Sequence, residues 1–93
     1  MTKFRLETTP SFERDFKRLD PPIRQRILDR LYWLADHPDQ IGAPMKHLPA
    51  DLKGLHKLRV GDHRVLFWVN HNEQTITLYG VDHRRSVYGR FNR

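Results

Sequence analysis

One stretch, Leu55 to Val69, restricts the fold of this chain more than any other: Leu-His-Lys-Leu-Arg-Val-Gly-Asp-His-Arg-Val-Leu-Phe-Trp-Val. Apolar and polar residues alternate on both sides of Gly61-Asp62, which is the pattern of two strands joined by a tight turn. Glycine at the first turn position suits a two-residue type II′ hairpin. That turn sets Val60 opposite His63 and Arg59 opposite Arg64. Two arginines facing each other on one side of a sheet repel and cost stability. Lys57 falls on the same side, because side chains alternate along a strand. A like-charged cluster in the middle of a small sheet calls for an external anion, and a phosphate backbone is the leading candidate.

The remaining pattern supplies a partner for that hairpin. Lys3 to Thr8 alternates and reads as a strand with Phe4 and Leu6 inward. Thr9-Pro10 is an N-cap followed by proline at the first helical position. Phe12, Phe16 and Leu19 then recur at helical spacing. Asp20-Pro21-Pro22 ends this helix and starts a second, with Asp20 as its expected cap. Ile23, Ile27, Leu31 and Leu34 form the second apolar stripe, which His37-Pro38 terminates. Residues 39–54 carry Gly42, Pro44, Pro49 and Gly54 and read as a connecting loop, tacked down by Met45 and Leu48. After the hairpin, Thr75 to Val81 is a further strand, with Ile76 and Leu78 on one side and Thr77 and Tyr79 on the other. The expected architecture is α+β, in the order β-α-α-β-β-β: a small, twisted, mainly antiparallel sheet with an N-terminal helical hairpin packed on one face. A single domain over residues 1–93 is expected.

On this register Leu58, Val60, Val65 and Phe67 face the helices. Lys57, Arg59, Arg64 and Trp68 face away with Leu55 and Leu66. A mixed basic and aromatic face suits nucleic acid, where bases stack and phosphates pair. Trp68 fits either a stacking platform or partial burial beneath the C-terminal tail. The charge distribution agrees with a polyanionic partner. The 93 residues carry seventeen Lys and Arg against eleven Asp and Glu, a net charge of +6. Residues 1–45 hold eight basic and seven acidic side chains, whereas residues 46–93 hold nine and four, so the excess lies with the hairpin.

Other chemistries find little support. The chain has no cysteine, which excludes disulfides and thiolate catalysis. No apolar run approaches the roughly 18 residues of a membrane span, so a cytoplasmic location without membrane contact is expected. Six histidines are present, but only His56 and His63 are expected close together, and no carboxylate or cysteine completes a metal set. Neither a metal nor a cofactor is expected. Arg24, Arg26 and Arg30 on the second helix are interspersed with Asp29 and Asp36 and read as a solvated face.

The sequence GLHKLRVGDHRVLFWV, together with VDHRRSVY near the end and the Pro-Pro-linked helical hairpin, resembles the RelE/ParE superfamily of toxins from type II toxin–antitoxin modules. The resemblance covers almost the whole chain and favours the RelE-like branch. It implies a small toxin, monomeric when free, silenced in a hetero-oligomeric complex by a cognate antitoxin with an acidic or amphipathic segment. RelE-like toxins enter the ribosomal A site and cleave the mRNA there; ParE-like toxins inhibit DNA gyrase without being enzymes; a non-toxic partner-binding homologue is the third alternative. Carried over residue by residue, the basic strand positions are Lys57, Arg59 and Arg64, the basic residue of the last strand is Arg84 beside His83, and the C-terminal tyrosine is Tyr88. Lys53, Arg85 and Arg90 complete the expected RNA-binding set. Leu55 stands where some RelE-like members carry a second lysine, which argues against a dual-lysine mechanism.

These residues suit metal-independent RNA cleavage. The 2′-oxygen attacks the adjacent phosphorus, so the enzyme must take the 2′-proton, neutralise the phosphorane and protonate the leaving 5′-oxygen. Arg59, Arg64 and Arg84 can grip phosphate oxygens in bidentate fashion. Lys57, among cations, is expected to have a lowered pKa and to act as base or acid, with His83 as its rival. Tyr88 can stack on the scissile nucleotide or donate a proton.

Overall fold

The computed structural model describes residues 3–83, and those residues form a four-stranded sheet with two helices on one face. The first strand, β1 (Arg5–Thr8), ends where Thr9 enters helix α1 (Pro10–Lys17). Thr9 keeps extended backbone angles, and its Oγ1 accepts the Phe12 amide at 3.2 Å. Pro10 occupies the first helical position, where a missing N–H costs nothing. Phe12 is buried, and its ring stacks on Phe16 with centroids 5.3 Å apart.

Helix α2 (Pro21–Asp36) follows almost at once. Asp20 occupies the cap position, but its side chain makes no capping bond. The two prolines explain this. They remove two of the first three amide donors, and the backbone carbonyl of Asp20 takes the Ile23 and Arg24 amides, each at 3.0 Å. Of the expected stripe, Ile27 and Leu31 are fully buried, Leu34 nearly so and Ile23 partly, and Ala35 joins them on the buried face. Each fully buried Ile or Leu contributes on the order of 1.5–3 kcal/mol. Two short 3₁₀ turns, Pro38–Gln40 and Ala50–Leu52, interrupt the long connection that follows.

Strands β2 (His56–Val60), β3 (His63–Asn70) and β4 (Thr75–His83) complete a sheet of order β1-β4-β3-β2. Only the β1–β4 pair is parallel, so the sheet is mainly antiparallel as expected. The hairpin register is the expected one, with Val60 opposite His63 and Arg59 opposite Arg64. Gly61 has φ +59° while Asp62 stays out of the left-handed region, which is the type II′ combination. The main core lies between sheet and helices, where Val60, Val65, Phe67, Ile76, Leu78 and Val81 meet the α2 stripe and Phe12.

One feature of β4 departs from simple alternation. Phe67 pairs with Leu78 but Leu66 pairs with Gly80, so Tyr79 is an extra residue in the strand. Past this bulge the inward phase changes from even to odd residues. Val81, 4% exposed, joins the core, and Asp82 falls on the outer face opposite Arg64. Helix α1 satisfies the interrupted backbone. The Thr9 hydroxyl donates toward the Leu78 and Tyr79 carbonyls at 2.9 and 3.3 Å, and Asp15 Oδ2 accepts the Val81 amide at 3.0 Å.

The outer face of the sheet carries a second, smaller apolar cluster. Leu55 and Leu66 are fully buried there against Met45, Leu48, Trp68 and Tyr79. The connecting loop closes over it: the Met45 amide donates to the Leu55 carbonyl at 2.9 Å, and Trp68 Nε1 donates to the Lys53 carbonyl at 3.1 Å. Among the described residues, then, the connecting loop and the Tyr79 ring, 5.2 Å away between centroids, pack on Trp68. On the inner side, His56 stacks on Phe67 with centroids 5.2 Å apart. Its Nδ1 is buried without a hydrogen-bond partner. Burial holds the His56 pKa below the ordinary 6.5, against the opposing pull of backbone groups at Gly54 and Gly42.

Two stability measurements test this packing. Thr9→Val removes a helix cap and the hydroxyl that holds the bulge, and should cost about 1–2 kcal/mol, or roughly 5–15 °C in thermal midpoint. Thr9→Ser keeps the oxygen and should melt close to the parent. For His56, the unfolded chain takes up the proton more readily than the folded one. Stability is therefore complete above pH 6.5 and falls as pH drops below it. In His56→Phe the acid-side loss between pH 7 and 5.5 should shrink; an unchanged pH profile would assign that loss to other groups.

Candidate nucleic-acid interface

The β-sheet positions the candidate side chains by register. On the outer face, Arg59 of β2, Arg64 of β3 and Asp82 of β4 lie side by side across three strands. Lys57 stands two residues along β2, opposite Leu66. The face therefore divides. Its Leu66–Trp68–Tyr79 half is apolar and clamped by the connecting loop, and its hairpin-tip half is charged. Lys53 belongs to the clamp, since its carbonyl receives the Trp68 indole, and its side chain is exposed.

Lys57 and Arg59 are exposed and Arg64 is half-buried. Arg64 Nη1 donates to the His63 carbonyl at 3.2 Å, which braces its guanidinium against its own strand. Among the described residues, no ion pair joins Arg59 or Arg64 to a carboxylate. Register opposes these two arginines, yet Arg59 also lines a cleft toward α2 with Arg26, Asp29 and Arg30. An edge strand leaves a long side chain free to swing over the rim, away from the like charge opposite it.

His83 does not join the cationic row. The bulge at Tyr79 reverses the phase of β4, so His83 pairs with His63 on the helix side, where the two rings meet edge-on at 5.6 Å. His83, the expected rival of Lys57 as acid or base, thus stands on the opposite side of the sheet from Lys57. The signal that could have revealed this is Gly80, because an isolated glycine within a strand often marks a bulge. Nor do His56 and His63 meet: they oppose Phe67 and Val60, at the two ends of the hairpin. Among the described residues, no three His, Asp or Glu side chains form a group able to hold a metal ion. No helix of these residues is long and apolar enough to cross a membrane. Arg84, Arg85, Tyr88 and Arg90 lie outside the described residues.

The opposed arginines allow a direct test. Arg59→Thr removes the cross-strand repulsion and introduces a good strand former, so the isolated protein should gain about 0.2–1 kcal/mol. The gain should narrow in 1 M salt, where charges more than about 3 Å apart are screened. A variant destabilised equally at low and high salt would show that Arg59 holds the fold together.

Comparison with known proteins agrees with this architecture. Residues 6–88 match the family described as the ParE toxin of type II toxin-antitoxin system, parDE. The chain is 28% identical to Toxin RelG of Mycobacterium tuberculosis over 83 residues, covering 88% of this chain and 92% of that protein. It is 26% identical to Toxin RelE of the same organism over 86 residues, covering 91% and 86%. Among solved structures, the toxin-antitoxin complex RelBE2 from M. tuberculosis contains a chain that superposes with a TM-score of 0.77 at 26% identity, covering 90% of this chain and 94% of that one. The isolated E. coli RelE toxin shares the fold, with a TM-score of 0.70 at 15% identity and coverage of 96% and 94%. A mixed four-stranded sheet backed by two helices, with the family match running through nearly all of it, places this chain in the ParE toxin family of type II toxin–antitoxin systems, within the RelE/ParE superfamily.

Proposed function

We propose that this toxin is a ribosome-dependent mRNA endoribonuclease of the cytoplasm, held inactive by a cognate antitoxin. The observation that carries the reading is the Arg59–Arg64 pair. Two cations face each other on one sheet face, joined to no carboxylate among the described residues, with Lys57 two positions away. The Arg59–Arg64 repulsion lowers stability even with Asp82 next in the row, and a phosphodiester is an anion that basic side chains of this kind fit well. The RelG and RelE toxins among its relatives support the RelE-like branch. The RelBE complexes among its structural neighbours support an antitoxin as partner.

In this mechanism the 2′-oxygen forms a bond to phosphorus as the bond to the 5′-oxygen breaks. The products are a 2′,3′-cyclic phosphate and a free 5′-hydroxyl. Arg64, braced on its own strand, neutralises the non-bridging oxygens, assisted by Arg59 and by Arg84. Lys57 either takes the proton of the 2′-hydroxyl or protonates the leaving 5′-oxygen, and water carries the other of these two proton transfers. The register of β4 makes Lys57 the stronger candidate than His83, which faces the helices. Tyr88 stacks on the scissile nucleotide, and Lys53, Arg85 and Arg90 hold flanking phosphates.

The parDE designation of the matching family favours one rival, a ParE-like inhibitor of DNA gyrase that performs no chemistry. Purified protein in a cell-free translation reaction, followed by primer extension on the message, separates the two. Cuts within A-site codons are expected, reduced about 100-fold or more in Arg64→Ala, with a thermal midpoint close to that of the parent. An intact message together with inhibition of gyrase supercoiling would establish the rival. A fully active, folded Arg64→Ala protein would remove Arg64 from the mechanism.

A further inference from the structure

Between the outer side of α2 and the tip of the β2–β3 hairpin lies an open cleft of about 550 Å³, lined by Arg26, Asp29, Arg30, Arg59, Val60 and Gly61. Arg26 and Arg30 stand one helical turn apart, so their side chains share a face. Gly61 borders this cleft closely: a Cβ there would lie 3.6 Å from Arg26 Nη1. Three arginines thus line one space with a single carboxylate, and the Arg30 guanidinium also lies over the Trp33 ring, 5.4 Å from its centroid. That carboxylate, Asp29, accepts Gln25 Nε2 at 2.9 Å, and among the described residues no ion pair joins it to any of the three arginines. A solvated helix face would spread its charges apart. Here the hairpin tip brings a third cation, from a distant part of the sequence, to two that α2 already presents.

Three arginines against one carboxylate leave the cleft lining net positive, which an entering anion would offset. Their planar forks match phosphate oxygens in bidentate geometry. The volume falls within the range of sites that hold nucleotide-sized ligands. The lining also disfavours one kind of polypeptide. Val60 is its one apolar side chain and is only 8% exposed, so the cleft offers no apolar groove for an amphipathic peptide helix. We propose that this cleft binds the phosphodiester backbone of an RNA segment distinct from the one on the cationic sheet face. The polymer's identity rests on the RNA reading of that face. Arg59 stands where the two surfaces meet, so the hairpin tip is gripped between two RNA segments.

The test measures binding apart from cleavage. The full chain is titrated into a labelled 2′-O-methyl RNA stem-loop, which lacks the attacking hydroxyl, and anisotropy is followed from 50 to 300 mM salt. Arg26→Ala/Arg30→Ala, both at exposed positions of a helix where alanine is favourable, should weaken binding about tenfold or more. The slope of log K against log salt should fall by about 0.7–0.9 for each arginine lost. Arg14→Ala/Lys17→Ala removes the same charge from α1 and should stay within about threefold of the parent. Equal losses in the two double variants would reduce the effect to diffuse charge and overturn the proposal. Polyglutamate that binds the parent more tightly than the RNA does, and fails to bind Arg26→Ala/Arg30→Ala, would assign the cleft to an acidic protein and overturn it as well. If the parent cuts no message while Arg26→Ala/Arg30→Ala still loses RNA binding, the cleft stands and the ribonuclease reading falls. If the parent cuts the message while Arg26→Ala/Arg30→Ala binds RNA undiminished, the ribonuclease reading stands and the cleft falls.

Discussion

The hydrogen bonds that α1 makes to the bulge of β4 decide which side chains reach which face of this sheet. Thr9 donates toward the carbonyls of Leu78 and Tyr79, and Asp15 accepts the amide of Val81. A one-residue slip in a strand exchanges its two faces. Without the bulge, Val81 would point outward and Asp82 into the core, where an unpaired carboxylate is costly. With it, Val81 packs beneath the helices and Asp82 stands opposite Arg64. The same bonds fix α1 against the strand that occupies the centre of the sheet beside β3. Helix placement and strand phase are thus a single constraint.

The outer face shows how such a small chain combines stability with a charged surface. Half of it is a second core, Leu55 and Leu66 beneath Met45, Leu48, Trp68 and Tyr79, clamped by the indole bond to Lys53. The other half carries Lys57, Arg59 and Arg64 on or beside the β2 edge. Charges there also keep the edge from pairing with other strands, a benefit common to many sheets. Edge protection alone does not explain the pattern. Alternating lysine and glutamate would guard an edge equally well, whereas two arginines directly opposite each other add repulsion.

Much of this was legible in the sequence. Gly61-Asp62 between alternating segments determined the hairpin register, and Thr9-Pro10 and Pro21-Pro22 marked both helix starts, because each rests on backbone chemistry local to a few residues. The α2 stripe was legible for the same reason, through its 3.6-residue period. What escaped depended on contacts far apart in the chain. The bulge at Tyr79 is held by residues some seventy positions earlier, so its effect on His83 could not be read from β4 alone. The bonding of Asp20 differed from expectation because Pro22 lacks the N2 amide and the Asp20 carbonyl takes the Ile23 amide at N3, the two donors its side chain would have served.

Arg24, Arg26 and Arg30 show how position in space changes the meaning of charge. Read along the helix, with Asp29 and Asp36 among them, they describe an ordinary solvated face. In the fold, the hairpin tip brings Arg59 to the same cleft as Arg26 and Arg30. Arg59 thereby belongs to two cationic groups, one across the sheet with Arg64 and one across the cleft with α2. Swinging over the rim moves Arg59 away from the first group and toward the second. An anion reaching around the hairpin would offset both groups at once, beyond what Asp82 and Asp29 offset from within, so the proposed RNA reading of the sheet face bears on the cleft as well.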